Sequence, residues 1–141
     1  DITPGDHDAP TFQVSGPLQY DFSPDSKELV YVSNHDAVPA ASTNNDLWIV
    51  SLTDKEPKAR NITATNPAYD GSPQYSPDGR DLFFISDQDG FQDIYRMTLA
   101  GGAVSRVGPA AGTGRVEVSW QKTAWFYANL IPGVIALLED E

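Results

Sequence analysis

The hydrophobic residues of this chain occur in short runs, separated by polar segments rich in Pro, Asp, Ser and Gly. Val, Ile, Tyr, Phe and Trp dominate these runs, which favours β-strands over helices. The runs at residues 29–32 and 82–85 are apolar at consecutive positions, a pattern typical of strands that are covered on both faces. The pattern predicts strands at residues 18–22, 28–33, 46–52, 58–63, 72–75, 81–86, 93–99 and 104–107.

One sequence pattern occurs twice. An aromatic residue, the sequence Ser-Pro-Asp-Ser or Ser-Pro-Asp-Gly, a basic residue and an apolar run ending in Ser lie within residues 22–33 and, 53 positions later, within residues 75–86. Pro presets its own φ, Asp bonds nearby backbone and Gly tolerates positive φ, so both sequences suit tight hairpins. A repeat of this length indicates an array in which each unit is stable only against its neighbours.

The third predicted strands also match, but at a shorter offset. Residues 45–50 correspond to residues 92–97 at an offset of 47 instead of 53. The first unit therefore has six extra residues between its second and third strands. We expect them to form a longer exposed loop within residues 35–44.

Four short strands per unit, covered on both faces, are typical of a β-propeller blade. We therefore predict an all-β chain, a β-propeller segment of about two and a half four-stranded antiparallel blades. Because closed propellers have about four to eight blades, we expect a segment of a larger protein or a protomer that assembles into a ring. The predicted units are the end of a preceding blade and its connector (1–17), the first blade (18–65), the second blade (66–108), a partial third blade (109–129) and an unassigned tail (130–141).

Composition and charge narrow the function classes. The chain has 141 residues and no Cys, which excludes disulfides, thiolate metal ligands and a cysteine nucleophile. Its net charge of −11 argues against nucleic acids and anionic membrane surfaces as partners. No apolar stretch approaches the roughly 18 residues of a membrane-spanning helix.

The two Ser-Pro-Asp units resemble the propeller repeats shared by the Tol-system translocation protein and the serine peptidases of the prolyl-oligopeptidase family. The connecting sequence is more similar to the peptidases. The similar segments are Ser42-Thr-Asn-Asn-Asp-Leu-Trp-Ile-Val50, Arg60-Asn-Ile-Thr63 and Asn66-Pro-Ala-Tyr-Asp-Gly-Ser-Pro-Gln-Tyr-Ser-Pro-Asp-Gly79, which resemble the propellers of bacterial dipeptidyl-peptidases and acylaminoacyl-peptidases. The resemblance covers residues 1–108 and implies a propeller that caps a separate α/β-hydrolase domain.

In that family the catalytic Ser, Asp and His belong to the hydrolase domain, and the Ser lies in a Gly-x-Ser-x-Gly sequence. This chain contains no such pentapeptide, and Ser15 before Gly16 does not form one. The resemblance therefore assigns no catalytic, cofactor-binding or metal-binding residue here, and no cofactor is expected.

The expected function is that of a non-catalytic propeller portion of a serine peptidase, which gates or positions peptides for the hydrolase domain. The alternative is a protein-binding propeller of the Tol-system type with no enzymatic domain. The expected partners are the hydrolase domain of the parent chain and, through it, peptide substrates. Self-association through open blade faces is a further expectation, because such faces are hydrophobic.

Several polar residues imitate catalytic groups but have a structural interpretation. The recurring pairs Ser23 with Asp25 and Ser76 with Asp78 are expected to hold hairpin turns. His7 and His35 lie beside acidic residues, as a triad histidine would, but both are in loop-like sequence with no activated nucleophile in view.

Two further motifs imitate binding or modification sites. Asp87, Asp89 and Asp93 with Gly90 partly resemble a calcium loop, but the expected middle ligand and the downstream bidentate Glu are missing, so a solvated hairpin is the expected structure. Asn61-Ile-Thr63 is a glycosylation sequon that lies in a predicted strand.

The aromatic residues are candidates for a ligand pocket, but their phasing with the repeat favours the core between blades. Tyr69 and the acidic residues of loops 35–46 and 66–72 are the better candidates for a surface that faces a partner domain, because function concentrates on loops. The aromatic candidates are Tyr20, Phe22, Trp48, Tyr69, Tyr75, Phe83, Phe84, Tyr95, Trp120 and Trp125.

Overall fold

The computed structural model describes residues 2–11 and 19–107. The predicted third blade at 109–129, the tail at 130–141 and residues 12–17 of the predicted connector lie outside the described residues. Within the described part, one short 3-10 helix at Pro39–Ala41 interrupts an otherwise β structure. The strands are β1 Tyr20–Phe22, β2 Glu28–Ser33, β3 Asp46–Ser51, β4 Arg60–Asn61, β5 Asp70–Tyr75, β6 Asp81–Ser86, β7 Asp93–Thr98 and β8 Ala103–Arg106.

The strands form two four-stranded antiparallel sheets, in which each strand pairs with its neighbours in sequence. Tyr31 lies opposite Trp48 across β2 and β3, and Phe84 lies opposite Tyr95 across β6 and β7. In the sequence repeat, Tyr31 corresponds to Phe84 at the offset of 53, and Trp48 corresponds to Tyr95 at the offset of 47. The two sheets are therefore two copies of one blade, which confirms the predicted all-β propeller architecture.

The core lies between the two blades. Alternate residues of a strand point to opposite faces of its sheet, and one face of each blade contributes to a single buried cluster. Burial of each such side chain stabilises the fold by about 1.5–3 kcal/mol. Tyr31 and Val50, on the other face of the first blade, are also buried, as expected for strands covered on both faces. The cluster contains Val30, Val32, Leu47, Ile49, Tyr75, Leu82, Phe84, Tyr95 and Met97.

The strand predictions hold closely in the middle of each blade and less well at its borders. The second strands, β2 and β6, begin and end where the sequence pattern places them, and β3 and β7 each end one residue earlier than predicted. The loop between β2 and β3 has 12 residues, whereas the loop between β6 and β7 has six. The six additional residues therefore lie in the predicted loop.

The outer strand β4 is much shorter than the predicted strand at residues 58–63. The pairing of β4 with β3 ends after Asn61 because side-chain oxygens replace backbone carbonyls as hydrogen-bond acceptors. The Asn61 side-chain oxygen accepts a hydrogen bond from the Thr63 N–H at 2.9 Å, and the Thr63 hydroxyl oxygen accepts one from the Leu47 N–H at 2.9 Å. Local bonds of this kind compete with regular strand pairing.

The inner strand β5 begins two residues before the predicted strand at residues 72–75 and contains a bulge between Gly71 and Gln74. Ser72 has a φ of 54°, and Pro73 has no N–H to donate. A Cβ at position 71 would collide with the Tyr69 ring, so any residue other than Gly requires that ring to move. The bulge therefore depends on Gly, Ser and Pro residues, which the hydrophobic pattern does not include, so the pattern does not predict it.

Two hydrogen bonds connect β5 of the second blade to the first blade. The Tyr75 N–H donates to the Asp21 side chain of β1 at 2.8 Å, and the Asp70 N–H donates to the Asn45 carbonyl at 2.7 Å. Because the strands are antiparallel, each blade presents two ends. We call residues 34–45, 62–69 and 87–92 the loop end, and residues 23–27, 52–59, 76–80 and 99–102 the turn end.

Within residues 2–11 and 19–107, no helix is long and apolar enough to cross a membrane.

Candidate functional site

The two Ser-Pro-Asp turns have the same internal hydrogen bonds. In the first turn, the Ser23 hydroxyl donates to the Asp25 carboxylate at 2.7 Å, and its oxygen accepts a hydrogen bond from the Glu28 N–H at 2.9 Å. In the second turn, the Ser76 hydroxyl donates to Asp78 at 2.7 Å and accepts from the Asp81 N–H at 2.9 Å. The hydroxyls and carboxylates of both turns are thus engaged in closing the hairpins.

These bonds also fix the charge of the turns. The hydroxyl of Ser23 lowers the pKa of Asp25, and the Lys27 N–H lowers it further. The hydroxyl of Ser76 does the same for the pKa of Asp78. Both carboxylates therefore remain ionised to lower pH than an isolated Asp.

The two histidines lie at the opposite end of the first blade, where they stack with a tryptophan. The His7 and His35 ring centroids are 3.8 Å apart, and those of His35 and Trp48 are 3.9 Å apart. His35 Nε2 is 3.1 Å from the Ser33 hydroxyl oxygen. Neither Ser23 nor Ser76 is near them, so the structure separates the sequence candidates for a triad instead of bringing them together.

The ring stack joins residues 2–11 to the first blade. The Ser33 hydroxyl donates to the Asp8 carbonyl at 2.8 Å, and the Thr11 N–H donates to the Val32 carbonyl at 2.9 Å. Burial, and then the charge of His7, lower the pKa of His35. The neutral imidazole is therefore the form that favours the stack.

Two buried carboxylates organise the loop end. Asp46 accepts hydrogen bonds from Asn61 Nδ2 at 2.8 Å and from the Thr63 hydroxyl at 3.4 Å. Asp70 is fully buried, and one of its oxygens accepts from Asn66 Nδ2 at 2.9 Å. The other oxygen of Asp70 has no hydrogen-bond partner within the described part of the chain. Burial raises the pKa of both carboxyls.

These acids are therefore loop supports and not a charged surface. Asp36, in the same region, accepts from Ser42 and Asn44 and closes the long loop on itself. The exposed residues of the loop end include His35, Val38, the 3-10 helix, Asp89 and Phe91, with Val38 at 62% and Phe91 at 58% exposure. Of the sequence candidates for a partner-facing surface, Tyr69 remains half-exposed, Asp36 is half-buried, and Asp46 and Asp70 are buried.

The aspartates of the calcium-like loop have separate partners. Asp87 accepts from the Tyr69 N–H at 2.9 Å, Asp89 accepts from the Tyr95 hydroxyl at 2.6 Å, and Asp93 forms an ion pair with Arg106 at 2.6 Å. Among residues 2–11 and 19–107 no group of three His, Cys, Asp or Glu side chains is arranged to hold a metal ion.

The sequon asparagine is also engaged. Asn61 donates its amide to Asp46 and accepts the Thr63 N–H through its oxygen. A glycan would replace one of the two hydrogens on Asn61 Nδ2 and would have to fit beside the bond of that nitrogen to the buried Asp46 carboxylate. The site is therefore structural in the folded chain.

The aromatic candidates lie in different environments. Tyr75, Phe84 and Tyr95 belong to the core cluster between the blades, and Phe83 is buried on the other face of the second blade. Tyr20 and Phe22 form an edge-to-face pair with ring centroids 6.1 Å apart, and both side chains are exposed. Trp48 is half-buried in the histidine stack, and Trp120 and Trp125 lie outside the described residues.

Sequence reasoning missed three positions that connect the structure. Asp21 links the blades, Gly71 makes room for Tyr69, and Arg106 neutralises Asp93. For Arg106 the repeat contains a signal, because Arg106 pairs with Tyr95 as Asn61 pairs with Trp48, which places a cation diagonally across from Asp93. Nothing in the local pattern indicates the other two.

Two repeated blades with matching turns and a shared core are the geometry of a propeller segment. Residues 14–125 match the family model described as the TolB beta propeller domain, which covers most of the chain. The chain belongs to the TolB β-propeller domain family. This finding confirms the resemblance that the Ser-Pro-Asp repeats indicate.

Individual relatives within this range include a peptidase and TolB structures. The chain is 34% identical over 105 residues to dipeptidyl-peptidase 5 of Porphyromonas gingivalis, and the match covers 71% of this chain but 15% of that protein. The crystal structure of TolB from Acinetobacter baumannii matches with a TM-score of 0.55 and 25% identity over 66% of this chain and 21% of that one. A structure described as TolB from Agrobacterium tumefaciens matches with a TM-score of 0.53 and 27% identity over 70% of this chain and 33% of that one.

Proposed function

We propose that this TolB-type propeller segment is a non-catalytic portion of a serine peptidase, in which it gates or positions peptides for a separate α/β-hydrolase domain. The observation that carries the proposal is the 34% identity to dipeptidyl-peptidase 5, of which the chain matches 15%. A match of that extent supports a parent chain with further domains.

The loop end is the surface that we assign to the partner domain. It exposes Val38, at 62%, beside the 3-10 helix, and presents Tyr69 from the neighbouring loop. Apolar and aromatic side chains of this kind are typical of interface centres, from which charged groups are depleted. Hydrogen bonds to Asp36, Asp46 and Asp70 hold the loops in place, and a preorganised surface loses less conformational entropy on binding.

The predicted blade boundaries become part of the same proposal. Residues 1–17 are assigned to the end of a preceding blade and its connector, and residues 109–129 to a partial third blade. The contact of Ser33 with the Asp8 carbonyl supports the first assignment, since the equivalent Ser86 accepts a hydrogen bond from Asn66 in the connector between the two blades.

The second candidate function is a protein-binding propeller without an enzymatic domain. It is favoured by the likeness to the two TolB structures, at TM-scores of 0.55 and 0.53. The two candidates differ in the coding sequence downstream of these residues. A Gly-x-Ser-x-Gly sequence followed by Asp and His favours the peptidase, whereas termination after further blades favours the binding module.

The peptidase proposal is tested with chromogenic dipeptide and acyl-amino-acid substrates. The chain alone is expected to hydrolyse none of them, and the protein extended through the downstream domain is expected to hydrolyse at least one, with inhibition by a serine-directed phosphonate. Hydrolysis by the chain alone, or an extended protein that is inert, contradicts the proposal.

Gating is tested in the extended protein with two matched variants. Val38→Asp adds a negative charge at the loop end, and Ala100→Asp adds the same charge at the exposed turn end. We expect Val38→Asp to change the ratio of kcat/KM values for a dipeptide and a long peptide by more than about threefold, with no change for Ala100→Asp. Equal effects of the two variants would show that the loop end has no special role.

A further inference from the structure

A solvent-accessible cleft lies between the two blades at the turn end, at the opposite end of the molecule from the surface assigned above. It has a volume of about 480 Å³ and is lined by residues of both Ser-Pro-Asp turns and of the connection between β3 and β4. Pockets of about 300–1,000 Å³ are in the range that binds small molecules. The lining residues that carry the argument are Asp25, Glu28, Ser51, Thr53, Tyr75 and Asp78.

The charged groups of the cleft are predominantly acidic. Asp25 and Asp78 are ionised and held in place by the serines of their turns. Both turn aspartates have a cation beside them, since Lys27 of the cleft lining is paired with Asp25 at 3.3 Å and Arg80 with Asp78 at 3.6 Å. Glu28 is half-buried, and its carboxylate has no ion pair or hydrogen bond within the part of the chain that the structure describes. An unpaired and partly desolvated carboxylate favours a cationic ligand.

A second and independent feature lies on the inner wall. Tyr75 is only 6% exposed, and its hydroxyl has no hydrogen-bond partner among the described residues. Buried hydroxyls are nearly always hydrogen-bonded, so this one is available to a group that enters the cleft. Burial, and then the charge of Glu28, raise the pKa of Tyr75, as expected if the two side chains face the same space. The remaining charges that act on Tyr75 are those of Asp21, Arg60 and Asp25.

We propose that this inter-blade cleft binds an organic cation that carries a guanidinium or primary ammonium group, through Glu28 and Tyr75. The N–H groups of the ligand donate to the Glu28 carboxylate and to the Tyr75 hydroxyl oxygen, and Glu28 supplies the negative charge because both turn aspartates are paired with cations. The hydroxyl oxygens of Ser51 and Thr53, at the rim of the cleft, accept hydrogen bonds from the remaining N–H groups of the ligand. The proposal does not depend on the proposed function, because a peptidase segment and a binding module have the same cleft.

The ligand test is calorimetric titration of the chain with N-acetyl-arginine methylamide. The matched probe is the citrulline analogue, which has the same shape without the charge. We expect saturable binding of the arginine compound and at least about tenfold weaker binding of the citrulline compound, as charge-assisted bonds are lost. Equal binding of both compounds, or no binding of either, overturns the proposal.

Two sources of the cation are distinguished by further probes. Agmatine represents a free small molecule, and a short peptide with one internal arginine represents a basic side chain of a protein. Tighter binding of agmatine than of the peptide identifies a small-molecule site, and the reverse identifies a side-chain site. Failure of both, when neither shifts any resonance of the turn end, contradicts the proposal.

Variants test the two named residues. Glu28→Gln is expected to weaken binding of the arginine compound by about tenfold and Tyr75→Phe by about threefold. The control is Glu56→Gln, which removes the same charge from an exposed residue outside the cleft lining and is expected to leave affinity unchanged. Wild-type affinity in Glu28→Gln overturns the assignment.

A measurement on the unmodified chain tests the proposal even if the variants do not fold. On titration with the arginine compound, amide chemical-shift changes are expected at Glu28, Thr53 and both Ser-Pro-Asp turns. Changes confined to the loop end would place the ligand elsewhere and contradict the proposal.

Discussion

In both blades the third and fourth strands meet at the loop end around a buried aspartate, and the two aspartates have different partners. Asp46 is 6% exposed and accepts from the neutral amide of Asn61, whereas Asp93 is 4% exposed and pairs with the cation of Arg106. Burial raises the pKa of Asp46. The repeat thus preserves the buried carboxylate but changes the group that pairs with it. The loss of stability on removal of that group should therefore differ between the two blades.

The largest expected difference concerns the partners of these aspartates. Arg106→Met should lower the free energy of unfolding by about 3 kcal/mol, because it leaves a buried charge without its counterion. Asn61→Ala should lower it by about 1–2 kcal/mol, since Asp46 retains the Thr63 hydroxyl. Urea denaturation at pH 7 measures both. Equal losses would mean that the ion pair is no stronger than the amide bond.

The pH dependence of the same variants sharpens the comparison. An acid whose folded pKa is raised binds its proton more tightly in the folded state. Burial of Asp46 therefore reduces stability as pH rises above the unfolded value of about 3.9. Removing Asn61 raises this pKa further, because a donor to the carboxylate is lost. The destabilisation by Asn61→Ala should accordingly be smaller at pH 4.5 than at pH 7, as measured by repeating the denaturation. A penalty that grows on acidification would contradict this account.

A second comparison concerns how each blade holds the next one. Asp21 of β1 accepts the Tyr75 N–H of the second blade, while the equivalent Gln74 of β5 has a buried side-chain oxygen with no partner among the described residues. Asp21→Ala should cost about 2 kcal/mol, because a backbone donor is left unsatisfied. Asp21→Asn keeps an acceptor and should cost less than half as much.

The control for this prediction is Gln74→Ala, which removes an unpaired buried oxygen and should change stability by less than about 0.5 kcal/mol. Thermal unfolding followed by circular dichroism measures all three variants. A loss at Gln74 as large as that at Asp21 would show that the two positions are equivalent after all.

The sequence predicts the repeated parts of these blades better than the parts that join them. The apolar runs of β2 and β6 are long and bounded by turn residues, so their limits follow from pattern alone. The end of β4 depends on Thr63, which replaces a backbone acceptor from 16 positions away. Asp21 meets Tyr75 across 54 positions. Contacts between residues so far apart produce no local pattern in the sequence from which they could be predicted.

The candidate sites illustrate the same limit. Ser23 and Asp25 are correctly assigned to a turn because their partners lie within five residues. The acids of the loop end look exposed in sequence, since a loop aspartate usually is, but Asp46 and Asp70 are buried by neighbouring strands. The inter-blade cleft requires both turns at once and is visible only when the two blades are packed together.

The two turns offer a third comparison at one backbone position. Ser26 has a φ of 59° and the equivalent Gly79 a φ of 70°, so both are in the left-handed region. Ser26→Gly should raise stability by about 1 kcal/mol and Gly79→Ser should lower it by about the same amount. A Cβ at Gly79 would lie 3.6 Å from Pro24 without a clash, so the effect reports backbone strain alone. Urea denaturation of both variants should give changes of opposite sign; changes of the same sign would attribute the effect to the side chains.

The smallest expected effect is a pH response that involves only one of two equivalent aromatic residues, Trp48 and Tyr95. Trp48 stacks on His35, whereas Tyr95 donates its hydroxyl to Asp89 at 2.6 Å. The folded pKa of His35 is lowered, so its contribution to stability is present above the unfolded value of about 6.5 and is lost as pH falls through the folded value. Protonation should release residues 2–11, and exchange of the Thr11 amide should accelerate between pH 7.5 and pH 5.5 after correction for the intrinsic rate.

Two variants decide whether the ring stack is responsible for this pH response. His35→Phe retains an aromatic ring on Trp48 without a titrating group, so it should abolish the pH dependence of Thr11 exchange while leaving the amide protected. Tyr95→Phe removes the hydrogen bond in the other blade and should leave that dependence as in the unmodified chain. If His35→Phe still responds to pH, protonation of His35 is not what releases the segment. The pH response would then come from a group other than His35, because the hydrogen bonds that Ser33 and Val32 form with residues 2–11 do not titrate.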